Sequence, residues 1–76
     1  MSKLRIAING AAGRMGRRLV ALGSADPELQ IAAAWEAARH PELGTDAGLL
    51  AGVGPLGVAV SSDTTAAVDA VIDFSV

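Results

Sequence analysis

Leu4-Arg5-Ile6-Ala7-Ile8-Asn9-Gly10-Ala11-Ala12-Gly13-Arg14-Met15-Gly16 passes from an apolar, β-branched run straight into three glycines spaced three apart. The run Leu4 to Asn9 stops at a glycine and reads as a buried first strand. Gly10-Ala11-Ala12-Gly13 reads as a turn, because glycine tolerates backbone angles that other residues resist. From Arg14 to Leu22 the spacing becomes helical: Met15, Leu19 and Leu22 fall on one face with Val20 beside them, and Arg14, Arg17 and Arg18 point elsewhere. Gly23-Ser24 predicts the end of that helix, and Ala25 to Glu28 a polar connection.

Outward from this unit, Leu29 to Trp35 is a second apolar run of strand length that ends at Glu36. Its three consecutive alanines suit a helix as well as a strand. Residues 37 to 56 are irregular and rich in Gly and Pro, with one helical turn expected around Ala47 to Ala51. Gly57 to Val60 reads as a short third strand. Ser61, Ser62 and Asp63 offer N-caps for a short helix from Thr64 to Val68. Ala70 to Phe74 reads as a fourth strand. The order is β-α-β-loop-β-α-β, which predicts an α/β fold of Rossmann type, a parallel sheet with right-handed crossovers. All of residues 1–76 then belong to the N-terminal part of one dinucleotide-binding domain. No helix follows the fourth strand to cover it, so the natural protein is expected to continue past Val76, with a substrate domain outside this chain.

Composition narrows the classes. The chain has 76 residues, 51% of them hydrophobic, with Trp35 and Phe74 its only aromatics. A core of small aliphatic side chains suits a parallel sheet covered by helices. Eight acids against six bases leave a net charge of −2 with no basic stripe, which argues against a nucleic-acid partner. There is no cysteine, so neither a disulfide framework nor a thiolate metal site is available, and a cytoplasmic location is favoured. The apolar run near the N-terminus is too short for a signal-peptide core or a membrane span.

Gly10-x-x-Gly13-x-x-Gly16 between a strand and a helix is a variant of the dinucleotide fingerprint. Gly10 permits the tight turn, Gly13 lets the backbone approach a pyrophosphate, and Gly16 removes a side chain where the helix meets the sheet. The unpaired N–H groups of the helix's first turn, together with its dipole, form an anion site. Arg14 lies in that first turn, where a cation is unfavourable unless an anion is near. Glu36, at the end of the second strand and 26 residues past Gly10, is placed to accept hydrogen bonds from the hydroxyls of an adenosine ribose. The plain alternative is that the glycines only build a tight turn and that Glu36 is a loop residue. Arg17 and Arg18 read as a solvated helix face, and His40 as a surface histidine. Trp35 is expected against the helix layer, its ring also able to border the adenine. Asp73 ends the last strand, where a site role and a structural one are equally open.

Together these residues resemble the opening of dihydrodipicolinate reductase, also called 4-hydroxy-tetrahydrodipicolinate reductase. Four segments carry the resemblance in order: Ile6 to Arg17, Leu43-Gly44-Thr45-Asp46-Ala47-Gly48, Gly57-Val58, and Val71-Ile72-Asp73-Phe74-Ser75. It implies a cytoplasmic, usually tetrameric enzyme of lysine (diaminopimelate) biosynthesis, which reduces a cyclic intermediate with NADH or NADPH. On the matching positions Gly10, Ala11, Ala12, Gly13, Arg14 and Met15 would hold the pyrophosphate, and Glu36 the ribose. Many relatives follow that acid with an arginine that meets a 2′-phosphate. Here the position is Ala37, with Arg39 two residues on, so NADH is slightly favoured. The family's Gly-Thr-Thr loop and His-His-x-x-x-Lys segment would lie beyond Val76. No catalytic residue is therefore assigned, and the fragment alone is expected to be inactive. Two alternatives remain: a cofactor segment of another nicotinamide-dependent reductase or epimerase, and a dinucleotide-sensing module without chemistry.

Overall fold

The computed structural model describes residues 3–74. Strand β1 (Leu4–Asn9) leads through the glycine turn into helix α1 (Arg14–Ala25), and β2 (Leu29–Trp35) follows. Helix α2 (Ala47–Ala51), β3 (Val60–Ser61) and β4 (Ala70–Asp73) complete the order. The four strands make one sheet in the order β3-β2-β1-β4, every pair parallel. This is the expected α/β arrangement of Rossmann type, with β1 and β2 at its centre.

A register shift in the β1–β2 pairing sets which side chains face which layer. Ile6 pairs with Ile31, but Ala7 pairs with Ala33, so Ala32 is an extra residue on β2, as in a β-bulge. Side chains alternate along a strand, and the extra residue flips that phase. Ile31 and Ala34 therefore join Ile6, Ile8, Ala11, Val20, Ala47 and Val60 in the core beneath α1 and α2. Ala33 and Trp35 turn to the opposite face, where they pack with Ala7 and Val68. Trp35 is 6% exposed in that second cluster, not against the helix layer as its sequence position suggested.

Helix α1 also buries a different stripe from the expected one. Gly16, Val20 and Gly23 are its buried residues, with Leu19 partly buried beside them. Met15 and Leu22 are 46% and 70% exposed. The helix runs on through Gly23 and Ser24, since Gly23 serves packing: a Cβ there would meet the Ile31 side chain at 2.7 Å. Ser24 bonds back to the Ala21 carbonyl (2.9 Å), and the Asp26 N–H closes the end on the Gly23 carbonyl.

The third strand is shorter and later than Gly57–Val60. Residues 58 to 60 pair on one side with the 44–47 loop: Gly44 N–H donates to Val60 O, Val60 N–H to Thr45 O, and Ala47 N–H to Val58 O. Asp46 takes the amides of Leu56, Gly57 and Val58. Only Val60 and Ser61 reach the sheet, against Ala34 and Trp35.

The helix expected from Thr64 to Val68 does not form. Asp63 accepts both the Thr65 amide (2.9 Å) and the Thr65 hydroxyl (2.6 Å), and the Ser61 hydroxyl oxygen accepts the Asp63 amide. Such local side-chain bonds compete with helix formation. The segment instead crosses the second face of the sheet and places Val68 against the cluster of Ala7, Ala33 and Trp35. Asp69 then ties it to β1, accepting the Arg5 N–H on its carboxylate and donating its own N–H to the Arg5 carbonyl. Strand β4 ends at Asp73, one residue short of the expected Phe74. Ser75 lies outside the described residues.

Candidate functional site

The carboxyl ends of β1, β2 and β4 come together around an open cleft of about 470 Å³. Asn9, Gly10 and Gly13 line it from the β1–α1 turn, Glu36, Ala37 and His40 from the chain after β2, and Phe74 from the end of β4. In open parallel sheets ligands bind in the crevice outside these strand ends.

The turn is held from below and from both sides. The Trp35 carbonyl accepts the N–H groups of Gly10 (2.9 Å) and Ala11 (3.1 Å). Gly10 takes a positive φ of 85°, the left-handed region that glycine favours. Ala11 and Ala12 bury their methyl groups in the turn. The residue-12 segment is fixed at both polar groups: its N–H donates to Glu36 Oε2 (2.9 Å), and its carbonyl accepts from Arg17 Nε (2.8 Å).

Those two contacts settle where Glu36 and Arg17 sit. Because the Ala32 bulge turns Trp35 to the far face, Glu36 points to the α1 side and over the turn. A carboxylate has about four lone-pair sites, so the bond to Ala12 leaves acceptor capacity on Glu36. Arg17 is no mere solvated side chain: its guanidinium pins the turn. The sequence signal for this was present, since Arg17 lies five residues past Ala12, one helical turn into α1.

The three glycines differ in the reason each needs to be glycine. Gly10 needs its φ. Gly16 needs its lack of a side chain, since a Cβ there would lie 2.0 Å from the Gly10 carbonyl oxygen and 2.7 Å from Ala11 Cα. Gly13 needs neither. Its φ of −75° and ψ of 170° are open to any residue, and a Cβ would meet only the Gly10 oxygen, at an ordinary 3.4 Å. What a side chain at Gly13 would enter is the cleft. Gly13 is also the N-cap of α1 and provides no side-chain cap, and no acidic residue sits in the helix's first turn. The positive end of the helix therefore faces the cleft without a carboxylate of its own helix.

Of the residues singled out in the sequence, Gly10, Gly13 and Glu36 line the cleft, while Ala11 and Ala12 form the turn behind it. Arg14 and Met15 are exposed on the first turn of α1 and are not part of the cleft wall. His40, read from sequence as a surface residue, stands in the wall. Only its spacing of four from Glu36 hinted at that, and the turn between them is a product of the fold. Among the described residues no cluster of His, Asp or Glu has the geometry of a metal site. No helix among them is long and apolar enough to cross a membrane.

Comparison with known proteins shows the family. The family model described as "Dihydrodipicolinate reductase, N-terminus" matches residues 4–76. The 4-hydroxy-tetrahydrodipicolinate reductase of Rhodopirellula baltica is 48% identical over 95% of this chain and 28% of its own length. The reductase of the same name from Syntrophotalea carbinolica is 49% identical over 95% of the chain and 28% of its own length. That of Methylocella silvestris is 44% identical over 99% of the chain and 29% of its own length. The chain thus spans little more than a quarter of the length of the curated relatives it matches. The match over residues 4–76 shows that the chain belongs to the dihydrodipicolinate reductase N-terminal family.

Proposed function

We propose that this chain binds the adenosine and pyrophosphate end of NADH or NADPH for a 4-hydroxy-tetrahydrodipicolinate reductase. The observation that carries the proposal is Gly13. Neither its backbone angles nor its protein neighbours demand glycine, yet it lines the cleft at the start of α1. Gly10, Ala11, Ala12 and Gly13 would hold the pyrophosphate, whose charge suits the uncapped helix N-terminus, with Arg14 and Met15 beyond the cleft wall on the exposed first turn of α1. From that turn the Arg14 side chain would reach the phosphate, an anionic partner for a cation that is unfavourable there by itself. Glu36 would accept the ribose hydroxyls while its bond to Ala12 holds the turn in place. When bound, the cofactor's nicotinamide supplies the hydride for the cyclic substrate, which the remainder of the enzyme would hold. The family relationship also supports a cytoplasmic homotetramer in lysine biosynthesis.

Glu36 and Ala37 support a modest preference for NADH, on the order of 1 kcal/mol. The carboxylate meets donors on an unmodified ribose but like charge on a 2′-phosphate, and Ala37 carries no cation to offset it. The experiment is a cofactor titration of the complete polypeptide encoded by the gene, native and Gly13→Val. The substitution should weaken binding at least about tenfold, equivalent to about 1.4 kcal/mol, in a protein that remains folded. Unchanged affinity in a folded variant would reduce the turn to a structural element.

A further inference from the structure

Four residues past Glu36, the His40 N–H closes a turn on the Ala37 carbonyl (3.0 Å) and folds the chain back over the end of β2. The His40 ring is half-buried and stands in the cleft wall with Glu36 and Ala37. Its Nδ1 accepts the Glu42 backbone N–H at 3.0 Å. A ring nitrogen that accepts a hydrogen bond carries no proton, so the neutral imidazole holds its proton on Nε2, as a donor. Among the described residues Nε2 has no hydrogen-bond partner. The backbone of this loop has therefore chosen the tautomer, and the donor it leaves belongs to a residue of the cleft.

We propose that His40 is a specificity-determining residue of the cofactor cleft. Its Nε2–H meets the 2′ substituent of the adenosine ribose and makes a 2′-phosphorylated dinucleotide acceptable where Glu36 and Ala37 alone would disfavour it. The proposal rests on the reading that this cleft holds the adenosine end of a nicotinamide dinucleotide. An N–H directed at an ionised phosphate is roughly twice as strong as the same N–H directed at a neutral hydroxyl. His40 therefore contributes more to NADPH than to NADH, and removing the donor changes the ratio of the two affinities.

Two substitutions separate this role from a structural one. In His40→Asn the side-chain Oδ1 replaces Nδ1 as acceptor of the Glu42 amide, but nothing reaches the place of Nε2. In His40→Gln an amide N–H reaches the place of Nε2, while the Glu42 amide loses its acceptor. NADH and NADPH are titrated separately into the complete polypeptide at one fixed salt concentration. His40→Asn should weaken NADPH about tenfold and NADH about threefold or less. His40→Gln should keep the native ratio within about twofold, even where both affinities fall. An unchanged ratio in His40→Asn, or a ratio changed equally in both variants, would overturn the proposal while leaving the cleft reading intact. A native protein that binds neither cofactor would overturn the cleft reading and this proposal with it.

Discussion

Replacing Gly16 with alanine tests whether the turn and α1 are in the close contact that creates the site. The added Cβ would lie 2.0 Å from the Gly10 carbonyl oxygen, with Gly10 C and Ala11 Cα both at 2.7 Å. A carbon and an oxygen approach comfortably at about 3.4 Å or more, so the helix and turn must part by more than about 1 Å. All three atoms are backbone, and no side chain can rotate away. The turn is further restrained by the two bonds to Trp35 O and the Arg17 and Glu36 contacts at Ala12. Overpacking costs about 1–3 kcal/mol, and this rigid setting places Gly16→Ala at the upper end. In thermal unfolding of the complete polypeptide followed by circular dichroism, Tm should fall by roughly 5 °C or more. Cofactor affinity should fall as well, because the start of α1 and the cleft wall at Gly13 move with it. By contrast, Gly13→Val should change stability by no more than about 1 kcal/mol, since its surroundings are open, while still weakening cofactor binding. A Gly16→Ala protein with native Tm, or a Gly13→Val protein as unstable as Gly16→Ala, would refute the division of labour among the glycines.

Deleting Ala32 should remove the bulge and exchange the faces that Trp35 and Glu36 occupy; cofactor titration and tryptophan fluorescence would then show lost binding and an indole moved out of its cluster with Ala7 and Ala33. Native binding in the deletion protein would show that the register shift does not place Glu36. Asp46 accepts five backbone N–H groups, from Gly48, Leu49, Leu56, Gly57 and Val58. The bonds from Leu56 foremost, then Gly57, Gly48 and Leu49, hold its carboxyl below the ordinary value of 3.8. A depressed folded value means that its contribution is complete above the unfolded value and is lost as pH falls through the folded one. Asp46→Asn should accordingly lower Tm at neutral pH, with the deficit shrinking as the native carboxyl protonates below pH 3.8. A deficit that does not change with pH would assign the effect to shape alone. Ala37→Arg in the complete polypeptide should narrow or reverse the NADH preference, because a guanidinium pairs with a 2′-phosphate. Unchanged relative affinities would mean that residue 37 does not face the ribose.

Much of the site was legible in the sequence because its cause is local. A β-branched run ending in glycine specifies β1 and the turn through neighbouring residues alone, and an acid directly after the second apolar run falls at a strand end in any parallel arrangement. The short helical turn expected around Ala47 to Ala51 is local in the same way. The identity of the family was legible too, since four short segments keep their order along the chain.

What only the tertiary structure decided involves partners far apart in the chain. The facing of Trp35 and Glu36 depends on the β1–β2 pairing, in which Ala32 is left over; three alanines in a row carry no phase that a sequence reader can follow. Gly23 looked like a helix stop, but Ile31 and Ile6 packed beneath it make it a place of close approach inside α1. Val58 looked like strand, but its amide belongs to Asp46, twelve residues earlier, and only Val60 and Ser61 remain for the sheet. The Thr64–Val68 segment had helical caps, yet Asp63 spends its carboxylate on Thr65, and burying Trp35 draws Val68 across the sheet. His40 entered the cleft by the same logic, through a turn and a bond to Glu42 that hold its ring in place. Propensity and periodicity describe what a segment can be alone, whereas the choice between compatible forms is made by whichever distant groups satisfy its hydrogen bonds and cover its apolar face.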